Sequence, residues 1–131
     1  MKKIALMLTV AAVLFAAESA NLKKDMAAQE AAMATIQKGM LYSSPSTIEE
    51  GLKALKAANQ VATLKDSLPH YLPEGKGALA KVAMRAGERV NLHADRLAAA
   101  LAKKEYTKLF AEYGEILNAC NSCHIAVRQW K

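Results

Sequence analysis

Two thiols and an imidazole stand close together near the end of this chain, in the order Cys120-Asn121-Ser122-Cys123-His124. The spacing is Cys-x-x-Cys-His, the attachment pattern of a c-type haem. Thiols three residues apart on a helix point to the same side, so both can form thioethers to the two vinyl groups of one porphyrin. The next residue then carries an imidazole under the ring as proximal iron ligand. The chain has only two cysteines, and both lie in this pattern. The pattern predicts one covalent haem c on Cys120 and Cys123, with iron bound by His124.

Other chemistry is open to a Cys-x-x-Cys pair. A redox-active pair usually starts a helix after a strand, and no strand pattern precedes this one. A four-coordinate zinc site needs two further Cys or His ligands, and only the scattered His70 and His93 remain. A structural disulfide across a two-residue gap closes a tiny loop and stabilises little.

The start of the chain bears on the same choice. Lys2 and Lys3 precede an apolar run from Ile4 to Ala17, and small residues follow. This is the layout of a secretory signal peptide, with cleavage expected after Ser19, and after Ala20 as the near alternative. The run is short for a membrane span, and no other apolar run is long enough, so no stable membrane insertion is expected after cleavage. Bacterial c-type haem is attached after export, so signal and motif imply one compartment, the periplasm. Residues 20–131 then form one domain. Removing Lys2, Lys3 and Glu18 from 18 basic and 12 acidic residues leaves 16 and 11, a formal charge of +5. An exported chain with its Lys and Arg dispersed along helices reads as a solvated basic surface that steers acidic partners, not as a nucleic-acid binder. There is no Ser/His/Asp arrangement and no glycine-rich phosphate loop, so no enzymatic activity is expected.

The elements that must position the motif are helices. Alanine is abundant, aromatics are few, and all three prolines fall in breaks. The first helix is expected over about 21–42, with a seam of Leu22, Met26, Gln29, Met33, Ile36 and Met40. A capping box of Ser46 and Glu49 opens the second, which carries Ile48, Leu52, Leu55, Ala58 and Ala62 inward and ends near Asp66. A connection over 68–77 leads to a third helix over about 78–103, with Leu79, Val82, Ala86, Val90, His93, Leu97 and Leu101 on one side. The last helix shows Tyr106, Phe110, Tyr113, Leu117, Cys120, His124 and Val127 in alternating steps of four and three. The expected fold is all-α, an up-down-up-down antiparallel four-helix bundle with haem inside one end.

This arrangement fixes levels along the bundle. His124 lies about five residues before the end of its helix, so the residue level with it lies about five positions into the first helix, which is Met26. Met33 and Met40 share that seam but are displaced by one and two steps of about 10.5 Å. Met26 is therefore the expected sixth ligand, a soft thioether that favours ferrous iron. Expected wall residues are Leu22, Leu64, Leu68, Tyr71, Leu79, Val82 and Met84. His93 lies about 24 Å along its helix, towards the other end, and reads as a core histidine. His70, in the connection, would need its loop to fold over the distal face. Arg128, one turn beyond His124, either lies beside the haem or answers the negative end of the last helix.

Signal, four helices and a Cys-x-x-Cys-His near the C-terminus together resemble the class II cytochromes c, the cytochrome c-prime family. In that family the motif continues as Cys-x-x-Cys-His-x-x-aromatic-Arg. Here Arg128 matches and Val127 stands in the aromatic position. The resemblance covers the whole mature chain. It implies either a low-spin electron carrier with a methionine near the start of the first helix as sixth ligand, which Met26 matches, or a five-coordinate protein that binds nitric oxide or carbon monoxide. The first reading implies periplasmic redox partner proteins. Pairing into homodimers through the first two helices is a further implication. Cys120→Ala or Cys123→Ala is expected to weaken or abolish holoprotein formation in a host with cytochrome c maturation machinery, measured by haem staining of the denatured protein.

Overall fold

A computed structural model describes residues 21–129; the expected signal peptide lies outside the described residues. These residues are all-α, with no strand among them. Four long helices are present: α1 (Leu22–Leu41), α2 (Pro45–Ala58), α4 (Ala80–Ala102) and α5 (Tyr106–Arg128). A short helix, α3 (Leu68–Tyr71), interrupts the connection between α2 and α4, together with 3₁₀ turns at Gln60–Ala62, Lys65–Ser67 and Gly77–Leu79. None of the helices is long and apolar enough to cross a membrane.

Local chemistry explains the boundaries. Asn21 caps α1, its side-chain oxygen accepting from the Lys24 amide at 3.1 Å. Helix α2 starts at Pro45 behind the N-cap Ser44, two residues before the Ser46 and Glu49 box would place it. Proline's fixed φ suits the first helical position, where its missing N–H costs nothing. The Ser44 and Thr47 hydroxyls then hydrogen-bond each other at 2.8 Å.

Helix α2 ends at Ala58, one residue before Asn59, and not near Asp66 as its alanine-rich pattern suggested. The reason is tertiary. The Asn59 carboxamide is 2 % exposed. It donates to the Gly87 carbonyl at 2.8 Å and to the Asn91 side-chain oxygen at 2.9 Å. Gln29 of α1 donates to the Ala58 carbonyl at 3.1 Å, answering one of the acceptors that the helix end leaves open. The backbone then turns across α4 at Gly87, where a Cβ would come 2.8 Å from the Ala62 nitrogen.

Helices α1 and α2 run antiparallel, with Gln29 reaching Ala58 and Ile36 lying against Gly51. Helices α4 and α5 are likewise antiparallel, with His93 meeting Glu112 and Arg89 meeting Glu115. The two pairs share a central core that includes Met33, Ile36, Leu52, Leu55, Val90, Leu97, Leu109 and Ile116. Fully burying such an aliphatic side chain contributes about 1.5–3 kcal/mol. A second cluster, at the end where α1 begins and α5 finishes, is built on Val61, Leu68, Leu72 and Ala83.

Two glycines allow a direct comparison. Gly87→Ala is expected to destabilise by about 1–3 kcal/mol, because its Cβ would meet backbone that cannot move aside. Gly114→Ala, in mid-α5 with nothing within 4 Å, is expected to stabilise by about 0.5–1 kcal/mol through helix propensity alone. Thermal unfolding of the two variants should therefore shift in opposite directions.

Candidate functional site

The azimuth of α5 decides what its motif can reach. The expected seam placed Tyr106, Phe110 and Leu117 inward, but they are 57 %, 53 % and 48 % exposed. The buried face is Leu109, Ile116 and Ala119 instead. Helix α5 packs chiefly along α4, where the His93–Glu112 and Arg89–Glu115 pairs and the Leu109 and Ile116 side chains draw that neighbouring face inward. A four-three repeat describes both faces equally, so the pattern gave the period correctly and the rotation wrongly.

The motif survives this rotation on the flank of the buried face. Cys120 is half-buried and packs against the central core. Cys123, one turn on, packs against the end cluster. His124 is half-buried, whereas Arg128 is exposed at the last position of α5, before Gln129 turns left-handed at φ 54°. Both cysteines are free thiols.

The end cluster gathers residues from distant parts of the chain. Met26 of α1, Leu64 and Tyr71 of the connection, Ala80 and Met84 of α4 and Cys123 of α5 all pack against it. Of the expected wall residues, Leu64, Leu68, Tyr71 and Met84 are here. Leu22 and Leu79 are half-buried, and Val82 is turned outward at 41 % exposure, its inward place taken by Ala83. Tyr71 donates its hydroxyl to Asp25 at 2.6 Å, tying the connection to the first turn of α1 beside Met26. Burial, then the Asp25 hydrogen bond and charge, pushes the Tyr71 phenol far above its ordinary range.

The electrostatics of the motif favour neutral groups. Burial raises both thiols above their ordinary value, and the neighbouring Cys123 adds to the effect at Cys120. A redox-active pair works with a depressed thiol, usually at a helix N-terminus, whereas these cysteines lie about four turns into α5. Burial, and then the charge of Arg128, lowers His124 below its ordinary value. Its imidazole is thus neutral near pH 7, the form that binds metals. Burial, with the nearby Cys120, also raises Tyr113 of the same helix.

No family model matches this chain, and no curated protein or solved structure matches it at the significance required.

The remaining histidines separate clearly. His93 is 9 % exposed, and its Nδ1 lies 2.6 Å from Glu112 Oε2. It is a satisfied core residue between α4 and α5, as its level along the helix suggested. His70 is exposed on α3. Among the described residues no three His, Cys, Asp or Glu side chains converge on a point that could hold a metal ion. Sequence reasoning missed the Tyr71–Asp25 bond and the partner of His93. Glu112 carried a faint signal, since it is an acidic residue one position before the inward Tyr113, on the helix that follows His93 after a tight turn. His93→Leu is expected to lower stability by about 1–3 kcal/mol by leaving Glu112 without its partner. Should the motif carry haem, the visible spectrum is expected not to change with it, whereas His124→Ala is expected to disturb maturation or spin state.

Proposed function

We propose that this chain is an exported c-type cytochrome that transfers electrons in the periplasm. In this reading α1, α2, α4 and α5 form an up-down-up-down four-helix bundle with one haem c at the end where α1 begins. The observation that carries it is that Met26 and Cys123, at opposite ends of the sequence, pack against one apolar cluster beside the Cys-x-x-Cys-His motif.

The donor set suits the group. Cys120 and Cys123 offer neutral thiols on one side of a helix for two thioethers. His124 offers a neutral imidazole. Met26 offers a thioether whose softness favours the ferrous state and low spin. When bound, the haem iron takes up and gives back a single electron. His124 and Met26 would hold the iron, and the apolar wall would raise the potential by disfavouring extra charge. Tyr71, held by Asp25, anchors the connection over that end. Arg128 places a fixed positive charge one turn from His124, which also disfavours ferric iron.

Visible spectra of the purified, matured protein in both oxidation states test this reading. A low-spin spectrum is expected, and Met26→Ala should convert it to high spin and open the iron to carbon monoxide or nitric oxide. A wild-type protein that is already high-spin in both states would replace electron transfer with gas binding. Absence of covalent haem after expression with maturation machinery would overturn both.

A further inference from the structure

The net charge of the described chain is confined to one end. The segments around the end cluster are 21–26, 60–86 and 123–129. They carry seven basic residues: Lys23 and Lys24 opening α1, Lys65 and Lys76 in the connection, Lys81 and Arg85 opening α4, and Arg128 closing α5. Against these stand three acidic ones, Asp25, Asp66 and Glu74, and Asp25 is engaged by the Tyr71 hydroxyl. The remaining described segments, 27–59 and 87–122, carry eight basic and eight acidic residues and are neutral as a whole. There, opposite charges meet as Lys56–Asp95, Arg89–Glu115 and Lys108–Glu105. The whole excess of four positive charges thus lies on the end that holds the Cys-x-x-Cys-His motif, and all seven basic residues but the half-buried Lys76 are exposed there.

Charges grouped on one end of a small protein add into a field that reaches about one Debye length, roughly 8–10 Å at moderate salt. Such a field orients an approaching partner and speeds its arrival without demanding tight binding. Two haem propionates would leave the end positive. An anionic membrane would use the same charges, but stable membrane anchoring takes a second contribution, such as an apolar face that inserts. The exposed Leu41, Tyr42, Tyr106 and Phe110 lie at the opposite ends of their helices, and among the described residues this end shows only Val82 and Ile125 as large exposed apolar side chains. We propose that the basic end around the start of α1 and α4 and the end of α5 is a docking surface for an acidic protein surface, so that a redox partner approaches at the motif itself. This rests on the electron-transfer reading above.

Two triple variants of the matured protein with equal charge change test the location. One carries Lys23→Glu, Lys81→Glu and Arg85→Glu; the other carries Lys38→Glu, Lys103→Glu and Lys104→Glu, all exposed and placed where α1 and α4 end, at the opposite end from the end cluster. The probes are a short polyglutamate peptide, titrated by calorimetry, and ferricyanide, whose one-electron oxidation of the reduced protein is followed by stopped flow. At low salt the first triple should lose about tenfold or more in both affinity and rate, the second less than about threefold, and salt should erase the difference. Equal losses in both triples, or none in either, would overturn the proposal. So would tighter binding to phosphatidylglycerol vesicles than to polyglutamate that the first triple abolishes, which would assign the surface to membrane. The peptide titration does not require haem. Missing covalent haem therefore sinks the electron-transfer reading by itself, and a missing difference between the triples sinks the docking surface by itself.

Discussion

The grip of α4 on α5 is the constraint on which the candidate site depends. Every group of the motif lies on α5, so the rotation of that one helix decides whether thiols and imidazole meet protein or solvent. Leu109 and Ile116, both almost fully buried, set the rotation by packing, and the His93–Glu112 contact sets it by chemistry. A buried imidazole facing a buried carboxylate tolerates little misalignment, because either group left alone would bear its full desolvation cost. With the helix held this way, Cys120 borders the central core and Cys123 the end cluster, and His124 follows at the flank.

The end cluster depends on an early helix stop. Had α2 continued to Asp66, the chain would have had little length left to cover the end. Asn59 instead turns its carboxamide into α4, and Gly87 lets the following turn lie directly on that helix. The residues released, from Val61 to Leu72, then fold over the start of α1 and α4 as a lining of leucines with Tyr71 fastened to Asp25. A polar latch and a missing Cβ thereby create the apolar surroundings in which Met26 sits.

Charge and chemistry coincide in this structure. The described segments away from the end cluster balance eight basic against eight acidic residues, and two of their ion pairs run between helices, Lys56–Asp95 and Arg89–Glu115. The half with the motif holds the excess of lysines and arginines on short segments that converge from four parts of the chain. In sequence these residues look dispersed, as on any solvated helix surface, because their convergence exists only once the segments around the end cluster are folded together.

Some of this was legible in the residues alone. The motif, the helical class, the inward methionines of α1 and the structural role of His93 follow from spacing, since a helix repeats every 3.6 residues whatever surrounds it. The same periodicity could not choose between the two neighbouring faces of α5, because Tyr106, Phe110 and Leu117 repeat as regularly as Leu109, Ile116 and Ala119. Only packing against α4 discriminates between them. Nor could it find the end of α2, where alanines continue the helical pattern. The stop comes from hydrogen bonds that Asn59 makes to residues about thirty positions away. Local sequence thus determined which residues can share a face, and tertiary contacts determined which of those faces is buried and where each helix ends.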